Sequence, residues 1–241
     1  MKTNGLYLVA HYPDRDTFNR AALEGLEHFD FLEVGIPFTD PVADGPVIAD
    51  AAHRVLADGF TVAGGLETLR EIRAAAPPRK KLYLMTYANI VAGRDPDRFA
   101  RAAAKAGADG MIIPDAPFAE SGLFRGALEK YGMEYISFIT PETTPAQIKL
   151  IARRARGFLY FISIRGITGS ALRLDRDTRE KIALARKHSP VPVVLGFGVR
   201  DRRSIDTALK NADGFIMGTR FVEALRDGGL EGFRAVLKEM F

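Results

Sequence analysis

Asp30-Phe31-Leu32-Glu33-Val34-Gly35-Ile36-Pro37-Phe38-Thr39-Asp40-Pro41-Val42-Ala43-Asp44-Gly45-Pro46 holds one complete structural unit. Its apolar, aromatic opening reads as a buried strand, and its middle, dense in Gly and Pro, reads as a loop. Val47, Ala51 and Val55 then recur at helical spacing. A strand that feeds a helix belongs to a parallel sheet, because parallel neighbours need a crossover between them.

The same unit recurs to either side. Strands are expected at Gly5 to Ala10, Asp30 to Val34, Lys81 to Tyr87, Gly110 to Pro114, Glu134 to Ile139, Phe158 to Ser163, Pro192 to Leu195 and Gly214 to Met217. Between them lie stripes at helical spacing: Phe18/Ala22/Leu26, Val47/Ala51/Val55, Leu66/Leu69/Ile72, Phe99/Ala102/Ala103, Leu123/Leu128, Ile148/Ile151, Ile182/Ala183/Ala185 and Ile205/Leu209. A last helix is expected from Leu230 to Phe241. Eight such pairs in 241 residues fit an α/β chain closed into a (β/α)8 barrel, the TIM barrel, better than an open doubly wound sheet. No linker or change of composition divides the chain, so 1–241 is expected to be a single barrel domain.

Composition narrows the chemistry. With no cysteine, thiolate catalysis, iron–sulfur ligation and disulfide scaffolds are excluded. The four histidines, His11, His28, His53 and His188, lack metal-ligand spacing, so no metal site is expected. Lys and Arg exceed Asp and Glu by only four. The basic stretches Arg79-Lys80-Lys81 and Arg153-Arg154-Ala155-Arg156 carry no interleaved aromatics, which argues against nucleic acid. No apolar run is long enough for a membrane span or a signal-peptide core, which points to the cytoplasm.

In a barrel of this kind chemistry sits at the carboxyl ends of the strands. Glu33 lies there inside an apolar run, where an ionised carboxyl is costly. Unless a cation or hydrogen bonds hold it structurally, burial raises its pKa toward the range where it can give and take a proton near neutrality. Asp44 sits in a loop stiffened by Pro37, Pro41 and Pro46. It either is held over a bound molecule or caps the helix beginning near Pro46. Gly196-Phe197-Gly198 and Gly218-Thr219 end the last two strands, the recurring phosphate site of this fold. Asp201 stands where a dinucleotide fingerprint would need a third small residue, so a Rossmann reading fails. Ser163 to Ser170, after strand six, is long enough to act as a second lid.

Glu33 to Pro46 resembles the signature of the tryptophan synthase alpha subunit family, which carries both catalytic carboxylates. Met85-Thr86-Tyr87-Ala88-Asn89, Gly110 to Asp115, Gly166 to Gly169 and Gly196 to Gly198 follow in the family's order. The resemblance implies retro-aldol cleavage of indole-3-glycerol phosphate to indole and glyceraldehyde 3-phosphate, without a cofactor. By it, Glu33 delivers a proton to indole C3, and Asp44 accepts the indole N–H and stabilises the cationic ring. It also implies that Gly169, Gly198, Gly218 and the Thr219 hydroxyl take the phosphate. Thr168 would steady Asp44, Tyr7, Met85, Tyr87 and Ile112 would line the indole slot, and Tyr160 would lie near Glu33.

The family implies a partner too, a pyridoxal-phosphate-dependent beta subunit in an alpha-beta-beta-alpha complex, met by the proline-rich lid and the exposed apolar residues of the Pro117-Phe118 region. The chain departs from the pattern at Val9 and Ala49, where Thr and Gln are frequent, and at His11, where glycine is common. It also starts almost at its first strand, where the family usually has a helix. A stand-alone indole-releasing lyase, or a weakly active allosteric subunit that binds phosphate and activates a beta subunit, are the alternatives.

Overall fold

The structure, a computed structural model, describes residues 3–162, 174–196 and 198–241. Nine strand segments form one parallel sheet: β1 (Thr3–Val9), β2 (Phe31–Gly35), β3 (Lys81–Met85), β4 (Gly110–Ile112), β5 (Glu134–Tyr135), β6 (Ser137–Ile139), β7 (Leu159–Ile162), β8 (Val193–Gly196) and β9 (Gly214–Met217). Their order is β5-β4-β3-β2-β1-β9-β8-β7-β6. The two end segments are one strand interrupted at Ile136, so the sheet returns on itself as an eight-staved (β/α)8 barrel. Ile136 still donates to the Met111 carbonyl at 2.9 Å.

Around the barrel lie α1 (Arg15–His28), α2 (Pro46–Ala57), α3 (Val62–Ala75), α4 (Ala88–Ala92), α5 (Pro96–Lys105), α6 (Gly122–Lys130), α7 (Pro145–Arg154), α8 (Arg176–His188), α9 (Arg202–Asn211) and α10 (Thr219–Met240). Each amphipathic stripe presses on the sheet, as Phe18, Ala22 and Leu26 do in α1. Side-chain caps mark several starts. Asp14 accepts from the Thr17 amide, and reciprocal capping boxes join Thr144 with Gln147 and Asp201 with Ser204.

The structure departs from the expected stripes in three places. Leu123 is 64% exposed, and Leu128 alone is the buried anchor of α6. Ala183 faces solvent in α8. The last helix begins at Thr219, eleven residues before the expected start, and is broken at Gly229, whose φ of 55° suits only a residue without a side chain. α4, a single short turn, gave no periodic signal.

Rings fill the barrel interior, and glycine makes room for them. A Cβ at Gly5 would overlap the Phe31 ring, and one at Gly196 would overlap Tyr160. Below, at the amino end, Phe31 stacks on Phe158 at 4.8 Å, and Lys81 bridges Asp109 and Glu134 around a hollow of about 330 Å³. Above, at the carboxyl end, the interior narrows to the site.

Candidate active site

β2 is buried along its whole length, and Glu33 at its centre is only 2% exposed. Side chains alternate along the strand, so Phe31, Glu33 and Gly35 share the interior face. Oε2 of Glu33 is buried without a hydrogen-bond partner, and among the described residues no cation pairs with this carboxyl. Burial first, and the nearby charge of Asp44 second, push its pKa up to about 8. The structural alternative, a glutamate locked in an ion pair, is therefore excluded among the described residues.

Asp44 is brought over the same cavity by the stiff loop after β2. Within this loop the Asp44 amide donates to Pro41 O at 2.9 Å and the Val42 amide to Asp40 O at 2.8 Å, a compact double turn. The N-cap of α2 is Gly45, with no side-chain cap bond. Asp44 is thus not the cap, and its Oδ2 instead accepts from the Tyr87 hydroxyl at 2.8 Å. Burial raises the Asp44 pKa to about 6, against the lowering effect of that hydrogen bond.

The cavity has a volume of about 70 Å³ and is lined by both carboxyls together with Tyr7, Met85, Ile112, Tyr160, Gly198, Gly218 and Thr219. That is smaller than the several hundred Å³ usual for a small-molecule pocket. Burial, then the charges of Glu33 and Asp44, hold the Tyr160 phenol well above its ordinary pKa, so it stays protonated.

At one end stands the start of α10. Its N-cap is Gly218, and no side chain caps its first turn. The leading amides of a helix have no partner within it, so those of Thr219 and Arg220 are free to meet an anion. α9 differs, since its first turn is closed by the Asp201 box. Gly198 has a φ of 78° and completes the small-residue wall.

Ten of the twelve expected residues meet in one place or against it. Nine of them line the cavity. Tyr87 does not; it lies behind Asp44, stacked on Phe38 at 5.0 Å. The other two, Thr168 and Gly169, lie outside the described residues, as does the expected lid from 163 to 170.

Sequence reasoning missed Ala43, Ile48, Pro114, Phe138, Ile162, Val199 and Ile216, which also line the cavity. Ile48 was signalled by the α2 periodicity and Ile216 by strand alternation. Phe138 was too, since it stands in phase with Glu134 and Ile136 along the same stave. Among the departures, His11 adopts a φ of 65°, the region that suits the glycine common there, and hydrogen-bonds Thr68 Oγ1 at 2.7 Å. Of the expected interface residues, Pro117 is exposed but Phe118 is half-buried, with the Arg125 guanidinium 4.6 Å above its ring. Among the described residues, no three His, Asp or Glu side chains are grouped to hold a metal ion.

Comparison with known proteins gives a consistent result. The family model described as tryptophan synthase alpha chain matches residues 5–239. The tryptophan synthase alpha chain of Mycobacterium avium is 37% identical over 235 residues, 97% of this chain and 86% of that protein. That of Deinococcus radiodurans is 35% identical over 224 residues, 92% of this chain and 82% of that one. Among solved structures, tryptophan synthase from M. tuberculosis in its aminoacrylate-bound form has a TM-score of 0.86 at 32% identity, covering 99% of this chain and 91% of that chain. Tryptophan synthase subunit alpha from Campylobacter jejuni has a TM-score of 0.87 at 29% identity, covering 100% and 96%. The chain belongs to the tryptophan synthase alpha chain family.

Proposed function

We propose that Glu33 and Asp44 are the two carboxyls with which this carbon–carbon lyase of tryptophan biosynthesis cleaves indole-3-glycerol phosphate. The observation that carries the reading is that both carboxyls line one cavity, Glu33 with a buried Oε2 that has no partner and Asp44 held by the Tyr87 hydroxyl. Glu33, with a pKa of about 8, is protonated, and Asp44, with a pKa of about 6, is ionised. Two like groups pushed apart in this way divide into an acid and a charged stabiliser.

The reaction then runs without a cofactor. Glu33 gives its proton to indole C3, and the positive charge spreads to the ring nitrogen, whose N–H donates to Asp44. This interaction is strongest when the ring is cationic, so it favours the transition state over the bound substrate. The hydroxyl on the adjoining glycerol carbon next loses its proton to the Glu33 carboxylate. The carbon–carbon bond breaks, its electron pair returns to the ring as indole, and the glycerol carbon becomes the aldehyde of glyceraldehyde 3-phosphate. The amides at Thr219 and Arg220, with Gly198, Gly218 and the Thr219 hydroxyl, hold the phosphate; Met85, Ile112 and Tyr7 flank the ring, and Tyr160 stands beside Glu33. Thr168 and Gly169 retain the roles that the resemblance gives them.

The family supports a beta subunit as partner, in an alpha-beta-beta-alpha assembly. Val42 in the lid, 79% exposed, and Pro117 offer apolar contact for it. One continuous sheet supports a single domain over 1–241. A cytoplasmic location fits the family, and among the described residues no helix is long and apolar enough to cross a membrane.

The deciding experiment supplies indole-3-glycerol phosphate to the purified chain, with and without a beta subunit, and measures indole release. Release that rises strongly when the partner is added supports the reading. High turnover alone would make the chain a stand-alone lyase, and no turnover in either case would leave only an allosteric subunit.

A further inference from the structure

Tyr87 is the one residue expected in the ring pocket that stands outside its lining, and its hydroxyl is engaged in another way. It accepts from the Ala43 amide at 3.2 Å and donates to Asp44 Oδ2 at 2.8 Å. Its ring stacks on Phe38 at an interplanar angle of 27°. Phe38, Ala43 and Asp44 all belong to the loop after β2, so a single side chain anchored beyond the end of β3 grips that loop at three points. Tyr87 is itself only 1% exposed, and its backbone is the N-cap of α4. A loop residue tied in this way takes its position from the barrel wall as well as from the loop's own turns.

The two carboxylate oxygens of Asp44 are thereby distinguished. Oδ2 is taken by Tyr87, Oδ1 is not part of that bond, and Asp44 lines the cavity. We propose that Tyr87 is the positioning residue of Asp44: it fixes the lid against the barrel, takes up one carboxylate oxygen and turns the other toward the substrate ring. This rests on the reading of Asp44 as the group that stabilises the cationic ring.

A donor to the ionised form also opposes the upward push of burial on Asp44. The other titratable groups facing the site are Glu33 from β2, Tyr7 from β1 and Tyr160 from β7, with Asp115 acting on Tyr87 from the loop after β4. The carboxyls among them disfavour charge on Asp44, and the phenols, held protonated, bring no positive charge. Among these groups only the Tyr87 hydroxyl lowers the Asp44 pKa.

Tyr87→Phe tests this, since it keeps the ring on Phe38 and removes only the hydroxyl. Indole release from indole-3-glycerol phosphate is followed across pH, in the native and the Asp44→Asn backgrounds, alongside binding of glyceraldehyde 3-phosphate. The expected result is a loss of about 10- to 100-fold in kcat, the worth of one hydrogen bond to a charged group, with KM much less affected. The rising limb of the pH profile should move to higher pH, and phosphate-ligand affinity should hold. In the Asp44→Asn background the same change should cost under about twofold, because the partner is already uncharged. A rising limb that does not move, or an equal loss in both backgrounds, overturns the inference while leaving the role of Asp44 intact. Full activity in Asp44→Asn alone overturns both.

Discussion

Tyr7 and Glu33 are paired directly across β1 and β2, and both line the cavity at the carboxyl end of the barrel. Burial and the charges of Asp44 and Glu33 hold the Tyr7 phenol well above its ordinary pKa, so it is a neutral neighbour that leaves Glu33 without an opposite charge. In the proposed mechanism this carboxyl carries the proton. Glu33→Gln should therefore reduce indole release by about 10² to 10⁴-fold, the range of general acid–base catalysis, while binding of glyceraldehyde 3-phosphate is unchanged. Turnover within a few-fold of the native rate would remove Glu33 from the mechanism.

The same carboxyl is a stability cost that depends on pH. Its folded pKa of about 8 lies above its unfolded value of 4.5, so the folded state holds the proton more tightly. Any stabilisation from this group is fully present below the unfolded pKa and is lost as pH rises toward the folded one. Gln never ionises, so the difference in unfolding free energy between Glu33→Gln and the native chain should shift by about 3 kcal/mol in the variant's favour between pH 4.5 and pH 7. Denaturant titrations at the two pH values read this shift whatever constant offset the new amide brings. A difference that stays flat would mean that water or a partner reaches the carboxyl.

Two limbs should bound the pH profile of kcat/KM. In the proposed mechanism activity needs Asp44 ionised and Glu33 protonated, so the rate should rise through about 6 and fall through about 8. The limbs belong to an interacting pair, since burial first and the Asp44 charge second raise Glu33. Asp44→Asn should lower the rate about 10² to 10³-fold, as loss of a transition-state hydrogen-bond partner does. It should also move the falling limb to lower pH, because Glu33 then loses the neighbour that disfavours its charge. A falling limb that stays in place would mean that desolvation alone sets it.

Much of this was legible in the sequence, for stated physical reasons. Strand and helix alternate with different periods, so the barrel could be read from Phe31-Leu32-Glu33-Val34 and its repeats. Glu33 stood out because a carboxyl in such a run has no solvent. The contact of Tyr87 with the loop did not stand out: a pocket-facing ring and a ring that latches a loop look alike in sequence, and its contacts with Asp44, Ala43 and Phe38 appear only in the structure. Leu123 misled because an apolar residue at the right spacing near a helix start can still face solvent. The helix from Thr219 kinks at Gly229, and the expected start at Leu230 lies just beyond that kink.

Gly196 tests how tightly the site is built. It ends β8 beside Tyr160 of β7, and an added Cβ would lie 2.0 Å from Cε2 and 2.3 Å from the hydroxyl of Tyr160, inside van der Waals contact with that edge of the ring. Backbone cannot yield here, because Gly196 is paired in register with Ile162. In Gly196→Ala the ring must move, and the cavity that it lines with Glu33 is the open space beside it. Overpacking of this kind costs about 1 to 3 kcal/mol. We therefore expect a stability loss of that size together with a rise in KM for indole-3-glycerol phosphate, since the displaced phenol occupies space meant for the substrate. Adding Tyr160→Phe should relieve little of either effect, because the ring carbons collide as well as the hydroxyl, whereas Tyr160→Leu should restore most of the lost stability. Restoration by Phe as complete as by Leu would show that the hydroxyl alone, and not the ring, is what Gly196 accommodates.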